Sequence, residues 1–285
     1  MKNFEIVMSI CCISYNHEKY IKQALDSFLM QITDFKFEII IGEDCSTDQT
    51  RAIIESYCQR YPDIIHLLVS DSNVGAIKNQ VRVINKAKGK YIAMCDGDDY
   101  WSDPLKLQKQ VDFMESHPQH AICCHYTKVI DEQGKLVYVN TKPEVLEFAF
   151  EDVLLGKKEE TRICSLVARN NGWVKEIGME DWYYKTFGTD TLFKLYIMAW
   201  TNGKIYVLPE VMAVYRLHRG GIWSLIDGKV RKGRMISDFN VIINNFRYSS
   251  ISKKELLKMY ISQYLLFDMW NLNISKAYHT LTKLI

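Results

Sequence analysis

The chain has 285 residues, of which 48% are hydrophobic and 25% are charged. This composition is typical of a globular protein, and the length suits one large α/β domain with an appendage or two smaller domains. The formal net charge of +2 argues against nucleic acid as a partner, but the charge is unevenly distributed. Residues 226–285 carry ten Lys or Arg against four acidic residues, whereas residues 1–225 carry 26 against 30.

The eight cysteines show no CxxC and no other zinc-ligand spacing. Four of them form the adjacent pairs Cys11–Cys12 and Cys123–Cys124 inside apolar runs, so we expect buried thiols in a reducing compartment. The N-terminus lacks the features of a signal peptide, and no window reaches the ~18 apolar residues of a membrane-spanning helix. The sequence therefore predicts a cytoplasmic protein.

Strands and helices alternate through the first hundred residues. Continuous apolar runs predict strands at 4–13, 37–44, 64–70 and 90–96. Apolar positions at helical spacing predict helices from Tyr20 onward, over 46–61 and over 76–89. This alternation predicts a mostly parallel, three-layer α/β sheet.

Unusual polar residues follow each of the four predicted strands. Ligands of such sheets bind outside the carboxyl ends of the strands, so the four loops are expected to converge on one edge. The polar segments are Tyr15–Asn16, Glu43–Asp44, Asp71–Asn73 and Asp96–Asp99.

The last of these segments is the best candidate for a metal site. Asp96 and Asp98 lie two positions apart around a glycine, so both carboxylates can face one hard cation. Mg²⁺ or Mn²⁺ takes one or two protein carboxylates and completes its shell with water and substrate phosphates. Tyr100 and Trp101 exclude a calcium EF-hand, which leaves a solvated acidic turn as the alternative.

The second half of the chain is less regular. Strands are predicted at 165–171 and 203–218, with a helix over 189–200 between them. After residue 226 the pattern becomes helical and basic. This tail either packs on the domain as a surface helix or contacts an anionic membrane.

Five segments, in this order, resemble the large family of inverting, metal-dependent glycosyltransferases of family two, which have the GT-A fold. They are "SYNHEKYI", "GEDCSTDQT", "NVGAIKN", "AKGKYIAMCDGDDYWSDPLKLQKQ" and "YRLHRGGIWS". The likeness covers roughly residues 5–224 and is greatest to bacterial members that build capsule and O-antigen polysaccharides. It implies an α/β GT-A domain over 1–225, with a nucleotide-binding half at 1–103, an acceptor half at 104–225, and a helical extension at 226–285.

The resemblance also implies a nucleotide-sugar donor and a Mn²⁺ or Mg²⁺ cofactor. Asp44 would accept the imide N–H of uracil or thymine, which cytosine lacks, so the donor would be a UDP- or dTDP-sugar. Tyr15 would pack on that base. The implied nucleotide-binding residues are Ser14, Tyr15, Asp44, Asn79 and Asp96. The implied metal ligands are Asp96, Asp98 and His218.

An inverting displacement also needs a general base on the acceptor hydroxyl. The family places an acid at the start of a helix after the acceptor segment, and "FGTDTLFKLYIMAW" matches it with Asp190. Asp190 could instead be a simple N-cap, and Glu180–Asp181 is a rival base. Acceptor or phosphate contacts are expected from Trp101, Arg169, Asp181, Arg216 and Trp223. Either tryptophan could equally lie in the core.

The function that the resemblance implies is transfer of a sugar to a hydroxyl of a glycan or lipid-linked saccharide in surface polysaccharide synthesis. A nucleotidyltransferase is a weaker alternative, because "SYNHEKY" lacks the Gly-rich, cationic loop such enzymes carry after the first strand. A nucleotide-sugar binding protein without catalysis and a retaining transferase remain open. The segment around Asp190 reads "GTDTLF", where relatives commonly have Gly-Asp-Trp, which leaves the acceptor undefined.

Overall fold

A computed structural model of the chain describes residues 6–221 and 226–285. Its strands form one mixed sheet in the order β3-β2-β1-β4-β9-β6-β10-β5, with β7 beside β6 and β8 beside β10. The strands are β1 (Met8–Ser14), β2 (Phe37–Glu43), β3 (Ile65–Val69), β4 (Tyr91–Met94), β5 (Tyr100–Trp101), β6 (His120–Ile130), β7 (Leu136–Tyr138), β8 (Leu146–Phe148), β9 (Val167–Arg169) and β10 (Lys204–Arg216).

The four strands predicted in the first half are present, and their pairings with one another are parallel. The second half joins them through β9, which runs antiparallel to both β4 and β6. The long strands β6 and β10 are parallel to each other, and β10 also pairs antiparallel with β5. The sheet is therefore an α/β sheet with a parallel nucleotide-binding half and a mixed second half.

Helices cover both faces of the sheet. Those of the first half are α1 (Ile21–Leu29), α2 (Thr50–Arg60), α3 (Ala76–Ile84) and α4 (Lys106–Ser116). Those that follow are α5 (Phe150–Leu154), α6 (Trp173–Ile177), α7 (Thr189–Thr201), α8 (Gly228–Asn245), α9 (Ser250–Gln263), α10 (Leu265–Trp270) and α11 (Ile274–Leu284). None of them, within the described residues, is long and apolar enough to cross a membrane.

Alternate residues of each central strand bury their side chains on opposite faces of the sheet, as the pleat requires. Ile10 and Cys12 of β1 face one apolar cluster, with α1, α2 and α4, whereas Cys11 faces the other, with α3 and α7. Six of the eight cysteines are buried and all eight are free, in agreement with their predicted structural role.

The basic C-terminal segment packs on the second half of the sheet. Phe239 of α8 and Leu256 and Tyr260 of α9 are buried in the same apolar cluster as Phe193 of α7. Of the two alternatives for the tail, packing on the domain therefore holds for α8 and α9.

Candidate functional site

A cavity of about 370 Å³ lies where the strands β1, β2 and β4 end. The loops after all four predicted strands line it, through Tyr15, Asp44, Asn73 and Asp98 among others. Asp190, at the start of α7, also borders it. The parallel topology thus brings the polar strand-end loops to one edge of the sheet.

Asp99 and Arg216 connect the acidic loop, Asp96–Asp99, to β10. Oδ1 of Asp99 accepts a hydrogen bond from the backbone N–H of Arg216 at 2.8 Å. The guanidinium of Arg216 donates to the carbonyl of Asp98 at 3.0 Å and to Gln23 at 2.9 Å, and lies over the ring of Tyr20. Arg216, a predicted phosphate contact, is therefore engaged with the protein, although it also borders the cavity.

Asp98 lies beside two histidines. Its Oδ2 accepts a hydrogen bond from Nε2 of His218 at 2.8 Å and lies 3.8 Å from Nε2 of His17. One donor atom from each of the three residues lies within 4.8 Å of the other two. A carboxylate and two imidazoles form a suitable ligand set for a divalent cation. The sequence predicts Asp96 as the third ligand, but among the described residues the structure groups His17, not Asp96, with Asp98 and His218.

The three carboxylates of the acidic loop differ in the direction of their pKa shifts. Burial, and then the charge of Asp98, raise the pKa of both Asp96 and Asp99. Burial also opposes ionisation of Asp98, but the hydrogen bond from His218 and the charge of His17 outweigh it and lower the pKa. Asp98 is therefore the carboxylate that stays ionised, and a cation beside it would offset the mutual repulsion of the loop.

Gly97 allows the acidic loop to approach the loop after β1. A Cβ at this position would lie 3.0 Å from both Oγ of Ser14 and Nδ1 of His17. These two atoms are buried and have no hydrogen-bond partner among the described residues. Buried polar atoms normally have a partner, so this pair can receive a ligand group or an ordered water.

The predicted nucleotide-binding residues line the same cavity. Asp44 is buried, and its two carboxylate oxygens accept the backbone N–H groups of Val74 and Gly75 at 2.8 and 2.9 Å. Each oxygen keeps a second lone pair for a ligand. Nδ2 of Asn79 donates to the carbonyl of Gly42 at 2.7 Å, so its amide also fixes the cavity wall.

Tyr15 is the exposed member of the predicted nucleotide site. Its side chain is 41% exposed and borders the cavity, as packing on a planar base requires. Ser14 and Asp96 also line the cavity, so the structure brings all five predicted nucleotide-binding residues together.

Asp190 lies in the first turn of α7, where the sequence predicts the base. The loop before it is held by the C-terminal segment, because Asp238 of α8 accepts the backbone N–H groups of Phe187 and Gly188 at 2.8 and 2.6 Å. Burial raises the pKa of Asp238 although both hydrogen bonds favour its ionised form. The residue that positions the Asp190 turn therefore comes from outside the predicted GT-A region.

Several expected acceptor contacts lie elsewhere. Arg169 pairs with Tyr91 at the start of β4, at the opposite edge of the sheet, and donates to the carbonyl of His120. Asp181 is exposed and does not border the cavity. Neither residue therefore borders this cavity, and their acceptor contact stays a prediction. Trp223 lies outside the described residues.

Trp101 lies in the core, the second of its two predicted alternatives. It is 1% exposed, its Nε1 donates to the carbonyl of Cys164 at 2.9 Å, and its ring packs on Phe28. The buried ammonium of Lys106 lies 4.0 Å from the ring centroid and donates to Gln110 at 2.7 Å. Trp101, Lys106 and Gln110, from the motif that follows the acidic loop, are therefore part of the buried core.

Sequence reasoning missed His17 and Asp238. His17 lies in "SYNHEKYI", but a single histidine next to a strand does not indicate which distant carboxylate it meets. The only local signal was its position at the predicted ligand-binding edge. Asp238 gave no signal, since an acid inside a helix is ordinarily part of a solvated face.

Comparisons with known proteins identify the family. A family model described as Glycosyl transferase family 2 matches residues 9–178. An uncharacterized protein of Mycobacterium tuberculosis, Rv1520, is 39% identical over 220 residues, 76% of this chain and 60% of the relative. The chain thus spans about 60% of the length of that relative. The putative teichuronic acid biosynthesis glycosyltransferase TuaG of Bacillus subtilis is 37% identical over 114 residues, 40% of this chain and 44% of TuaG.

Two solved structures share the fold. TarS 1-349 of S. aureus, in complex with UDP-GlcNAc, has a TM-score of 0.65 at 21% identity, covering 89% of this chain and 71% of that one. The mannosyltransferase PcManGT of Pyrobaculum calidifontis, in complex with GDP-Man and Mn²⁺, has a TM-score of 0.62 at 18% identity, covering 96% and 74%. The family match covers more than half of the chain, so this chain belongs to glycosyl transferase family 2 and has the GT-A fold.

Proposed function

We propose that this chain is a metal-dependent, inverting glycosyltransferase. It would move a sugar from a UDP- or dTDP-sugar to a hydroxyl of a glycan or lipid-linked saccharide during surface polysaccharide synthesis. The observation that carries the proposal is one cavity bordered by Asp44, Asp98 and Asp190, with His218 hydrogen-bonded to Asp98. A donor bound in this cavity would therefore lie beside the predicted nucleotide, cation and base residues.

The divalent ion would be held by His17, Asp98 and His218. Carboxylates suit both Mg²⁺ and Mn²⁺, but imidazole is a better ligand for transition metals, so this set favours Mn²⁺. When bound, the ion would stabilise negative charge on the departing diphosphate. The structure of PcManGT was solved with Mn²⁺, which supports this choice.

Asp190 would act as the general base. Its carboxylate would accept the proton of the acceptor hydroxyl while that oxygen forms a bond to the anomeric carbon and the bond to the diphosphate oxygen breaks. Attack from the face opposite the leaving group inverts the configuration. Asp238 would keep the turn that carries Asp190 in place.

The nucleotide assignment can be tested by thermal shift with UDP, dTDP and CDP, with and without Mn²⁺. We expect stabilisation by UDP or dTDP, dependent on Mn²⁺, and little by CDP. Equal stabilisation by CDP would contradict the role of Asp44. Loss of the Mn²⁺ dependence is expected in Asp98→Asn, and its retention would refute the metal site.

Catalysis is tested separately by release of UDP from nucleotide sugars over a panel of acceptors. Asp190→Asn should keep nucleotide binding but lose turnover by about 10²-fold or more, the usual contribution of a general base. NMR of the product's anomeric centre distinguishes inversion from retention. Binding without turnover over the whole panel would favour a nucleotide-sugar binding protein.

We also propose that the end of the tail contacts an anionic membrane. Apolar side chains are exposed on adjoining turns of α10 and α11, and Trp270 and Leu272 are each 81% exposed. From Leu256 to Ile285 the only acid is Asp268, which is buried and accepts a hydrogen bond from Tyr260. A surface with exposed tryptophan, leucine and lysine and no exposed acid suits anionic lipid. Its exposed apolar residues are Leu266, Met269, Trp270, Leu272, Ile274 and Tyr278.

Sedimentation with phosphatidylcholine vesicles, with and without phosphatidylglycerol, tests this contact. We expect binding only to the anionic vesicles, weakened in Trp270→Ser and unchanged in Trp200→Ser, a half-exposed tryptophan on α7. Equal binding to neutral vesicles would contradict the charge argument. If the protein does not bind vesicles but forms a dimer that Trp270→Ser disrupts, a second copy of the chain covers this surface instead.

A further inference from the structure

A second cavity, of about 330 Å³, adjoins the first turns of α7. It is bordered by Gly156, by residues 158–162, and by Asp190, Thr191 and Lys194 of α7. Apart from Gly156, every residue that lines it has a polar or charged side chain. Asp190 borders this cavity and the larger one described above, so the two spaces meet at one carboxylate.

Lys194 places a buried ammonium group in this second cavity. The residue is 2% exposed, and its Nζ donates to the carbonyl and to Oγ1 of Thr161 at 2.7 and 2.8 Å. These contacts use two of its three N–H donors. Burial lowers the pKa of Lys194, Asp190 partly offsets this effect, and the neighbouring charges of Lys158 and Arg162 lower the pKa further.

Lys158 adds a second cation whose partners are neutral. Its Nζ donates to Oγ1 of Thr191 at 3.0 Å. In the described parts of the chain, no carboxylate oxygen forms an ion pair with Lys158 or Lys194, whereas Lys157 next to them pairs with Asp152 at 2.8 Å.

Three acidic residues also line this cavity, and each has a different environment. Glu160 is already occupied, since Oε2 pairs with Arg162 at 3.0 Å and Oε1 accepts the hydroxyl of Tyr138 at 3.1 Å. Glu159 is exposed. Asp190 lies where the two cavities meet. The two lysines therefore retain donors for a ligand, and an anion would bind at the lysines, away from Asp190.

We propose that this second cavity binds the acceptor, and that the acceptor is a saccharide with an anionic substituent, a phosphate or a carboxylate, held by Lys158 and Lys194. A lining without apolar side chains suits sugar hydroxyl groups. Repulsion by Asp190 would direct the anionic substituent to the lysines and leave a neutral hydroxyl beside the carboxylate. The inference rests on the proposed function, because it takes Asp190 as the base.

Calorimetry with two pairs of probes tests the site: glycerol 3-phosphate against glycerol, and D-glucuronate against D-glucose. The protein is first saturated with UDP and Mn²⁺, which blocks phosphate binding at the donor site. We expect at least one anionic probe to bind and neither neutral probe to do so. The phosphate and carboxylate probes then distinguish the two kinds of acceptor.

Lys158→Gln and Lys157→Gln form a matched pair, because they remove the same charge from adjacent exposed positions and only Lys158 borders the cavity. Lys158→Gln should weaken anion binding about fivefold or more, and Lys157→Gln less than twofold. Equal effects, equal binding of charged and neutral probes, or no anion binding by the wild type would each overturn the proposal. The titration is repeated without nucleotide, so that a failure to bind the anionic probe can be distinguished from a failure to bind UDP. A failure to bind UDP would contradict the proposed function itself.

Discussion

Replacement of Lys106 by methionine should change how stability depends on pH. Lys106 is completely buried between Trp101 and Gln110, and burial lowers the pKa of its ammonium from 10.5 to about 8. The unfolded chain therefore holds this proton up to a higher pH than the folded protein does. The contribution of Lys106 to the free energy of unfolding therefore increases as the pH rises from about 8 toward 10.5.

The magnitude follows from the two pKa values. Between pH 7 and 9 the folded protein releases this proton while the unfolded chain keeps it, which adds about 1 kcal/mol to the free energy of unfolding. The buried thiols act in the opposite direction, since burial raises the pKa of Cys95 and Cys164. These thiol contributions are common to wild type and variant, so they largely cancel in the difference between the two.

Urea unfolding under reducing conditions at pH 6, 7, 8 and 9 measures this difference for wild type and Lys106→Met. The free energy of unfolding of the wild type relative to the variant should be constant from pH 6 to 7 and rise by about 1 kcal/mol by pH 9. The interval from pH 6 to 7 is the internal control. A difference that stays flat or falls between pH 7 and 9 would refute the assignment of a lowered pKa to the buried lysine.

Three further predictions concern the cavity and its supports. His17→Ala should weaken Mn²⁺ binding about tenfold or more, measured by EPR of free Mn²⁺, and unchanged affinity would remove His17 from the ligand set. Asp238→Asn should lower turnover about tenfold at unchanged UDP affinity, because one amide oxygen replaces the two carboxylate oxygens that accept the N–H groups of Phe187 and Gly188. A change in UDP affinity without a change in turnover would contradict this role. Glu43→Gln should destabilise by about 1–3 kcal/mol at pH 7, because burial opposes ionisation but Ser46 and Arg51 hold the pKa of Glu43 below its ordinary value. That loss should shrink as the pH falls below 4.5, because the unfolded carboxyl takes up a proton there before the folded one does. A loss that stays constant in urea unfolding would contradict the ionised pair.

The sequence predicts best those elements whose burial is uniform along the chain. The strands β1, β2 and β4 are buried along almost their whole length and are apolar runs between polar loops, so their type and the edge at which they end could both be predicted. The strand β6 was missed because "HAICCHYTKVI" mixes apolar residues with His120, His125 and Thr127, all of which are buried. Their burial depends on pairing with distant strands, which local patterning does not encode.

The end of α3 shows a second kind of limit. Periodicity carries the predicted helix to residue 89, but the helix ends at Ile84. The backbone N–H of Lys88 donates to Glu38 at 2.9 Å, and that of Gly89 donates to Ser9 at 2.8 Å. These two partners lie on β1 and β2, so a tertiary contact outcompetes the helical hydrogen bonds that the local sequence favours.

The boundary at residue 225 separates two sequence patterns, but it does not separate two independent cores. Phe239, Leu256 and Tyr260 of the tail and Phe193 and Leu195 of α7 belong to one apolar cluster. Burial of each large apolar side chain contributes about 1.5–3 kcal/mol, and the whole stability of a domain is about 5–15 kcal/mol. The three tail residues alone are therefore comparable to a large part of that stability. Since the same segment also supplies the hydrogen bonds that hold the Asp190 turn, we propose that 226–285 is a structural part of the acceptor half, and that the base is placed correctly only while this segment is docked.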